Sequence, residues 1–142
     1  MIRKSAVLVD TGPLVALFNQ ADQFHPSCVN TLKTIRDPLF TIWPVITEAM
    51  YLLEASSTAQ DGVWEFLLSR ALILLPLDVE DLARMRELMH RYQNRQMDLA
   101  DAALVRVAER EHLTTIFTTD QRDFRIYQPS HSPHFHLLPR SL

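Results

Sequence analysis

Glycine is almost missing from this 142-residue chain, with Gly12 and Gly62 the only two. Dinucleotide-binding turns and phosphate-cradling P-loops need several glycines within a few positions, so neither can be assembled, and nucleotide-cofactor chemistry of those kinds is excluded. Cysteine is scarcer still: Cys28 stands alone. An intrachain disulfide and a thiolate metal cage are therefore ruled out, and a reducing compartment is indicated. Long apolar runs are absent as well. The stretch from Ala6 to Val9 is cut short by Asp10, whereas a secretory core needs about 7–15 apolar residues and a membrane span about 20. A cytoplasmic protein with no targeting segment and no membrane partner is expected.

What is present suits one compact domain over residues 1–142. Hydrophobic residues make up 47% of the chain and charged ones 22%, enough for a core and without the bias of a disordered chain. The formal net charge of −3 does not by itself favour a nucleic-acid partner. Distribution matters more than the total. With five acids gathered in one site, Lys and Arg would outnumber the remaining acids.

Short apolar strands alternate with helices. Ala6–Val9 reads as a buried strand ending at Asp10, and Thr11-Gly12-Pro13 as a helix start leading into Leu14–Phe18. Phe24, Cys28, Leu32 and Ile35 recur at helical spacing and predict a helix over 24–36. Leu39–Trp43 is a second strand. Pro44 opens a helix over 44–55, and Ser57 or Thr58 can cap the next. A strand over 72–75 and a helix over 79–92 follow, with Val79, Leu82, Met85, Met89 and Tyr92 on one face. A helix over 98–112, a strand at Thr115–Phe117 and an edge strand near Phe135–Leu138 close the chain. The pattern predicts an α/β fold: a central parallel sheet with helices on both faces.

In such sheets ligands bind beyond the carboxyl ends of the strands, where strand order reverses. Asp10 ends the first strand, and Asp120 lies just past the strand at Thr115–Phe117. Glu48 sits one turn inside the helix after the second strand. Asp98 and Asp101, three apart, are adjacent on a helix whose only other polar residue between Leu99 and Ala108 is Arg106. Blander readings exist for most of these. Asp98 can serve as an N-cap, Asp101 as a dipole partner, Asp120 as a turn opener and Glu48 as a solvated helix residue. Asp10 is the hardest to explain by packing.

If the acids converge, electrostatics demands an answer. Two unit charges at ~4 Å repel by roughly 4 kcal/mol at an effective dielectric of ~20. Several such pairs approach the whole stability of a domain, about 5–15 kcal/mol. Protonation or bound cations must relieve them, and an all-oxygen donor set suits Mg²⁺ or Mn²⁺ better than zinc. A metal held this way, with positions open to water and a phosphate, is suited to phosphodiester hydrolysis.

Four stretches, Val-Leu-Val-Asp-Thr-Gly-Pro-Leu at 7–14, Val-Ile-Thr-Glu-Ala at 45–49, Met-Asp-Leu-Ala-Asp-Ala at 97–102 and Thr-Thr-Asp-Gln-Arg-Asp-Phe at 118–124, together resemble the PIN-domain family, particularly VapC-type toxins of toxin–antitoxin pairs. The resemblance covers the chain from about residue 6 onward. It implies a five-stranded parallel sheet and a metal-binding quartet of Asp10, Glu48, Asp101 and Asp120, with Asp98 as an additional acid. It also implies second-shell hydroxyls at Thr11 and Thr119, Asp123 as a turn residue or outer-shell acid, a homodimer, cleavage of RNA and inhibition by an antitoxin protein. The alternatives are a PIN-like module that binds RNA or protein without cutting, and a housekeeping RNA-processing nuclease without antitoxin.

Arg91, Arg95, Arg106, Arg110, Arg122 and Arg125 could follow an RNA path, though solvated helix faces account for most of them. Arg122 and Arg125 are the preferred RNA-binding candidates because they adjoin Asp120. His131, His134 and His136 read more naturally as part of a final, partly exposed strand than as a transition-metal site. A dehalogenase-like phosphatase needs an acid two residues after Asp10, where Gly12 stands. A receiver domain needs a late lysine, and the last one is Lys33.

Overall fold

The computed structural model describes residues 5–142. Five parallel strands, β1 (Val7–Val9), β2 (Leu39–Thr41), β3 (Ile73–Leu74), β4 (Thr115–Phe117) and β5 (His136–Leu138), form one sheet in the order β3-β2-β1-β4-β5. Seven α-helices connect them: α1 (Thr11–Phe18), α2 (His25–Thr34), α3 (Trp43–Leu52), α4 (Ser57–Leu68), α5 (Leu82–Arg91), α6 (Leu99–Glu111) and α7 (Gln121–Phe124). Single 3₁₀ turns at Val79–Asp81 and Gln93–Arg95 flank α5. Successive crossovers run from β1 outward to β3, then back past β1 to β4. With the usual right-handed crossover, α1–α4 cover one face and α5–α6 the other. The expectation of a parallel sheet with helices on both faces is met.

The strands are short because the sheet is enclosed. Val7, Leu8, Val9, Ile116 and Phe117 are all at most 2% exposed, and the strands are mostly apolar runs, as in a sheet covered on both faces. The ladder continues past the strand ends, since the Asp10 N–H donates to the Phe117 carbonyl at 2.9 Å. Thr41 Oγ1 donates to the Val9 carbonyl at 2.9 Å and ties β2 to the same edge.

Several boundaries differ from the sequence reading, each for a local reason. The strand expected over Leu39–Trp43 stops at Thr41, because Trp43 and Pro44 already form the first turn of α3, a position that suits proline. Helix α4 is capped by Ser56, whose Oγ accepts the Ala59 N–H at 3.1 Å, rather than by Ser57 or Thr58. The helix expected over 79–92 begins as a 3₁₀ turn in which Asp78 and Asp81 cap one another. The buried face is narrower than the apolar pattern: Met85 and Leu88 are buried, while Val79 and Leu82 are 79% and 60% exposed.

Candidate metal centre

Strand order reverses between β1 and β4; Asp10 directly follows β1 at that crevice, and Asp120 lies three residues past the end of β4. The register pairs Val9 with Phe117, so the next residues, Asp10 and Thr118, face each other. Thr118 Oγ1 donates to Asp10 Oδ2 at 2.8 Å and accepts the Asp120 N–H at 2.9 Å. One buried hydroxyl therefore fixes both acids. Asp10 is 6% exposed and Thr118 fully buried.

Helix α6 contributes from its N-terminus. Asp98 is the N-cap, its Oδ1 accepting the Asp101 N–H at 2.8 Å. Asp101, 9% exposed, points inward and accepts the Tyr127 O–H on Oδ2 at 2.8 Å. Glu48 lies in the second turn of α3 and is half-buried. The loop after β4 and the short helix α7 supply Asp120 and Asp123. One carboxylate oxygen each from Asp101, Asp120 and Asp123 lie within 4.8 Å of one another. Asp123 thus stands nearer the centre than the outer position suggested by the sequence, although Arg95 Nη2 holds its Oδ1 at 2.7 Å.

These acids are electrostatically costly. Burial pushes Asp10 up to about 6, and Glu48 and Asp120 add to the rise against the opposing bonds from Thr118 and the Thr11 backbone. Burial and the charges of Asp10 and Asp98 push Asp101 up to about 8. Asp120 is raised by burial and by Asp123. Tyr127 is raised above the usual phenol range by burial and the Asp101 charge, which keeps it a donor.

The donor set fits a hard divalent cation. Every candidate ligand is a carboxylate oxygen, and among the described residues Arg95 on Asp123 is the only arginine or lysine paired with any of them. Beside Asp10, Thr11 Oγ1 is buried without a hydrogen-bond partner, a polar atom of the kind that bound water or an ion's hydration shell satisfies. Thr119 makes no bond to an acid among the described residues. Its Oγ1 instead occupies the space of a Cβ at position 12, only 2.0 Å from where that atom would stand. Glycine at 12 is what lets α1 approach this loop.

Thr118 and Tyr127 were not singled out from the sequence, and Arg95 was considered only for an RNA path, not as a partner of Asp123. Thr118 was detectable in principle, since pairing the first and fourth strands sets it opposite Asp10. A buried tyrosine needs a partner, but nothing local names Asp101. Of the candidate RNA-path arginines, Arg106 and Arg110 are committed to Asp81 at 2.8 Å each. Arg122 and Arg125 are exposed, and Arg125 donates to Gln121 Oε1 at 3.2 Å. His131 faces the Leu113 carbonyl through Nε2 at 2.7 Å, and the His134 and His136 rings lie 5.3 Å apart. No group of three metal-ligating side chains among the described residues includes a histidine.

Comparison with known proteins shows the family and the fold. The family model described as PIN domain matches residues 7–128. Ribonuclease VapC26 of Mycobacterium tuberculosis is 27% identical over 135 residues, spanning 94% of this chain and all of the relative. The crystal structure of the Mycobacterium tuberculosis toxin VapC20, which cleaves the sarcin–ricin loop, superposes with a TM-score of 0.74 at 19% identity, covering 82% of this chain and 93% of that one. A toxin–antitoxin complex from Klebsiella pneumoniae gives 0.65 at 19% identity over 91% of this chain and 98% of its own. At these identities the two structures speak to the fold.

Proposed function

This chain belongs to the PIN-domain family, and from that premise we propose that it is a metal-dependent endoribonuclease, the toxin of a toxin–antitoxin pair. The observation that carries the chemistry is the gathering of acids at the β1–β4 switch point, with Asp10 and Asp101 buried, proton affinities raised and almost no balancing positive charge. Asp10, Glu48, Asp101 and Asp120 are assigned the holding of Mg²⁺ or Mn²⁺, with Asp98 as a further acid. When bound, the cation supplies Lewis acidity for an attacking water and charge for the scissile phosphate. The protein's own part is to place and hold the acids. Thr118 fixes Asp10 against the loop of Asp120, and the Asp98 cap orients the first turn of α6. Arg122 and Arg125, exposed beside Asp120, are assigned contacts to RNA phosphates.

The relatives support the partners in this reading. The curated relative is a ribonuclease, and a structural neighbour is a toxin–antitoxin complex, so RNA is the proposed substrate and an antitoxin protein the proposed inhibitor. A homodimer acting in the cytoplasm completes the proposal. Among the described residues no helix is long and apolar enough to cross a membrane.

The test is cleavage of a mixed RNA pool by the purified chain with Mg²⁺ or Mn²⁺, with EDTA, and with Asp101→Asn. Cleavage abolished by both controls is the expected result. Cleavage indifferent to both would refute the metal nuclease. A chain that neither cuts RNA nor binds Mn²⁺ would instead be a binding module. Co-purification with a small protein that suppresses cleavage separates a toxin from a housekeeping nuclease.

A further inference from the structure

We propose that Tyr127 is a positioning residue for the metal centre, its hydroxyl fixing one oxygen of Asp101 so that the other is presented to the cation. The inference rests on the nuclease reading above and adds a residue to it. Tyr127 lies outside the four acidic stretches, yet its ring is 1% exposed and its O–H ends 2.8 Å from Asp101 Oδ2. Oδ1 of Asp101 has no protein donor among the described residues.

The ring itself is held from two sides. Tyr92 packs against it edge-on at 5.0 Å between centroids and Phe124 at 5.1 Å. The next residue is tethered too, since the Gln128 N–H donates to the Tyr92 hydroxyl at 2.9 Å. The Tyr127 N–H donates to the Asp123 carbonyl at 3.0 Å. The same turn therefore carries Asp120, Asp123 and Tyr127, and the tyrosine hydroxyl links that turn to Asp101 on α6. A carboxylate's last torsion is broad and two-fold, and Asp101 is repelled by neighbouring Asp10 and Asp98. Left unbonded it would turn away from them. A charge-assisted hydrogen bond from a rigid ring holds it in place.

The test is Mn²⁺ titration of the metal-free protein by calorimetry, comparing wild type, Tyr127→Phe and Tyr92→Phe. Tyr127→Phe keeps the ring and its packing, so circular dichroism should report a folded chain. Loss of such an outer bond to a metal ligand commonly weakens metal binding by about 10–100-fold, and a shift in that range is expected. Cleavage by Tyr127→Phe should recover as Mn²⁺ is raised. Tyr92→Phe loosens the same segment without touching an acid and should leave Mn²⁺ affinity within about twofold of wild type. Equal affinity of Tyr127→Phe and wild type would overturn the inference alone, as would an equal loss in both variants. Absence of Mn²⁺ binding by wild type would overturn the nuclease reading and this inference with it.

Discussion

The two ends of helix α6 handle buried acids in opposite ways. At its C-terminal end Glu109, 6% exposed, is gripped by Arg84 through Nε at 2.9 Å and Nη2 at 2.8 Å, and accepts the Ser130 N–H. Nearby Asp81, 1% exposed, receives Arg106 and Arg110. Burial pushes both acids up, and their donors outweigh it, leaving each below the ordinary carboxylate range. At the N-terminal end the charged and hydrogen-bonding groups that act on Asp101 among the described residues are acids and the Tyr127 phenol, and burial prevails. Arginine is thus supplied at Asp81 and Glu109, whereas among the described residues none pairs with Asp10 or Asp101, the acids proposed to hold the cation. Burial of an acid alone does not mark a site; burial without a cationic partner makes it a candidate.

The largest effect that would break this contrast is on cleavage. Asp10→Asn keeps the shape of the side chain and should lower RNA cleavage by about 10³-fold or more, beyond the range typical of outer-shell changes. Single-turnover rates would check it, and near-normal cleavage would remove Asp10 from the site.

Next comes pH. The native forms of Asp10 and Asp101 hold their protons to about 6 and about 8, above the ordinary value of 3.8. The folded state therefore binds more protons than the unfolded state in that window, and stability falls as pH rises from about 4 toward 8. Asp10 alone accounts for about 3 kcal/mol, a shift of about two units. Asp81 and Glu109 work in the other direction, stabilising above the ordinary carboxylate range and losing that contribution as pH falls through it. Metal-free chain should be most stable near the acid end of its folded range, and Mn²⁺ should flatten the alkaline decline. Urea midpoints against pH, with and without Mn²⁺, measure both.

Asp81→Asn should cost about 2–3 kcal/mol, since it strips a buried partner from two arginines that can still reach water. Mn²⁺ affinity should not move. A loss of metal binding there would mean the two ends of α6 are coupled. Smallest is Arg122→Ala. It should weaken RNA binding a few-fold and reduce the salt slope by about 0.7, as for one phosphate contact on a single strand.

Much of this arrangement was legible from the sequence, and its gaps have physical causes. Apolar runs broken by Asp10 and followed by Asp120 located the sheet edge, because a buried parallel strand leaves a strong signature and an acid at its end stands out. Asp98 and Asp101 were legible from their spacing on a helix with few other polar residues. The arginine partners of Asp81 and Glu109 were not, since ion pairs across α5 and α6 leave no local pattern, and Arg106 and Arg110 stood among the residues that could follow an RNA path. Tyr127 was hidden for the same reason: its partner lies 26 residues away in sequence. The apolar face over 79–92 is only partly buried, because its first residues, Val79 and Leu82, lie at the exposed start of the segment, and an apolar residue on the surface carries no mark of its exposure in the sequence.

The contrast between the two ends of α6 is tested most directly by thermal melting at pH 8 of wild type and Asp101→Asn, with and without Mn²⁺. Without metal, Asp101→Asn should melt higher than wild type, because it removes a charge that burial and neighbouring acids oppose while an amide oxygen still accepts the Tyr127 hydroxyl. Adding Mn²⁺ should raise the wild-type melting temperature and leave the variant nearly unchanged. A variant that melts lower than wild type without metal, and gains as much from Mn²⁺ as wild type does, would contradict the account.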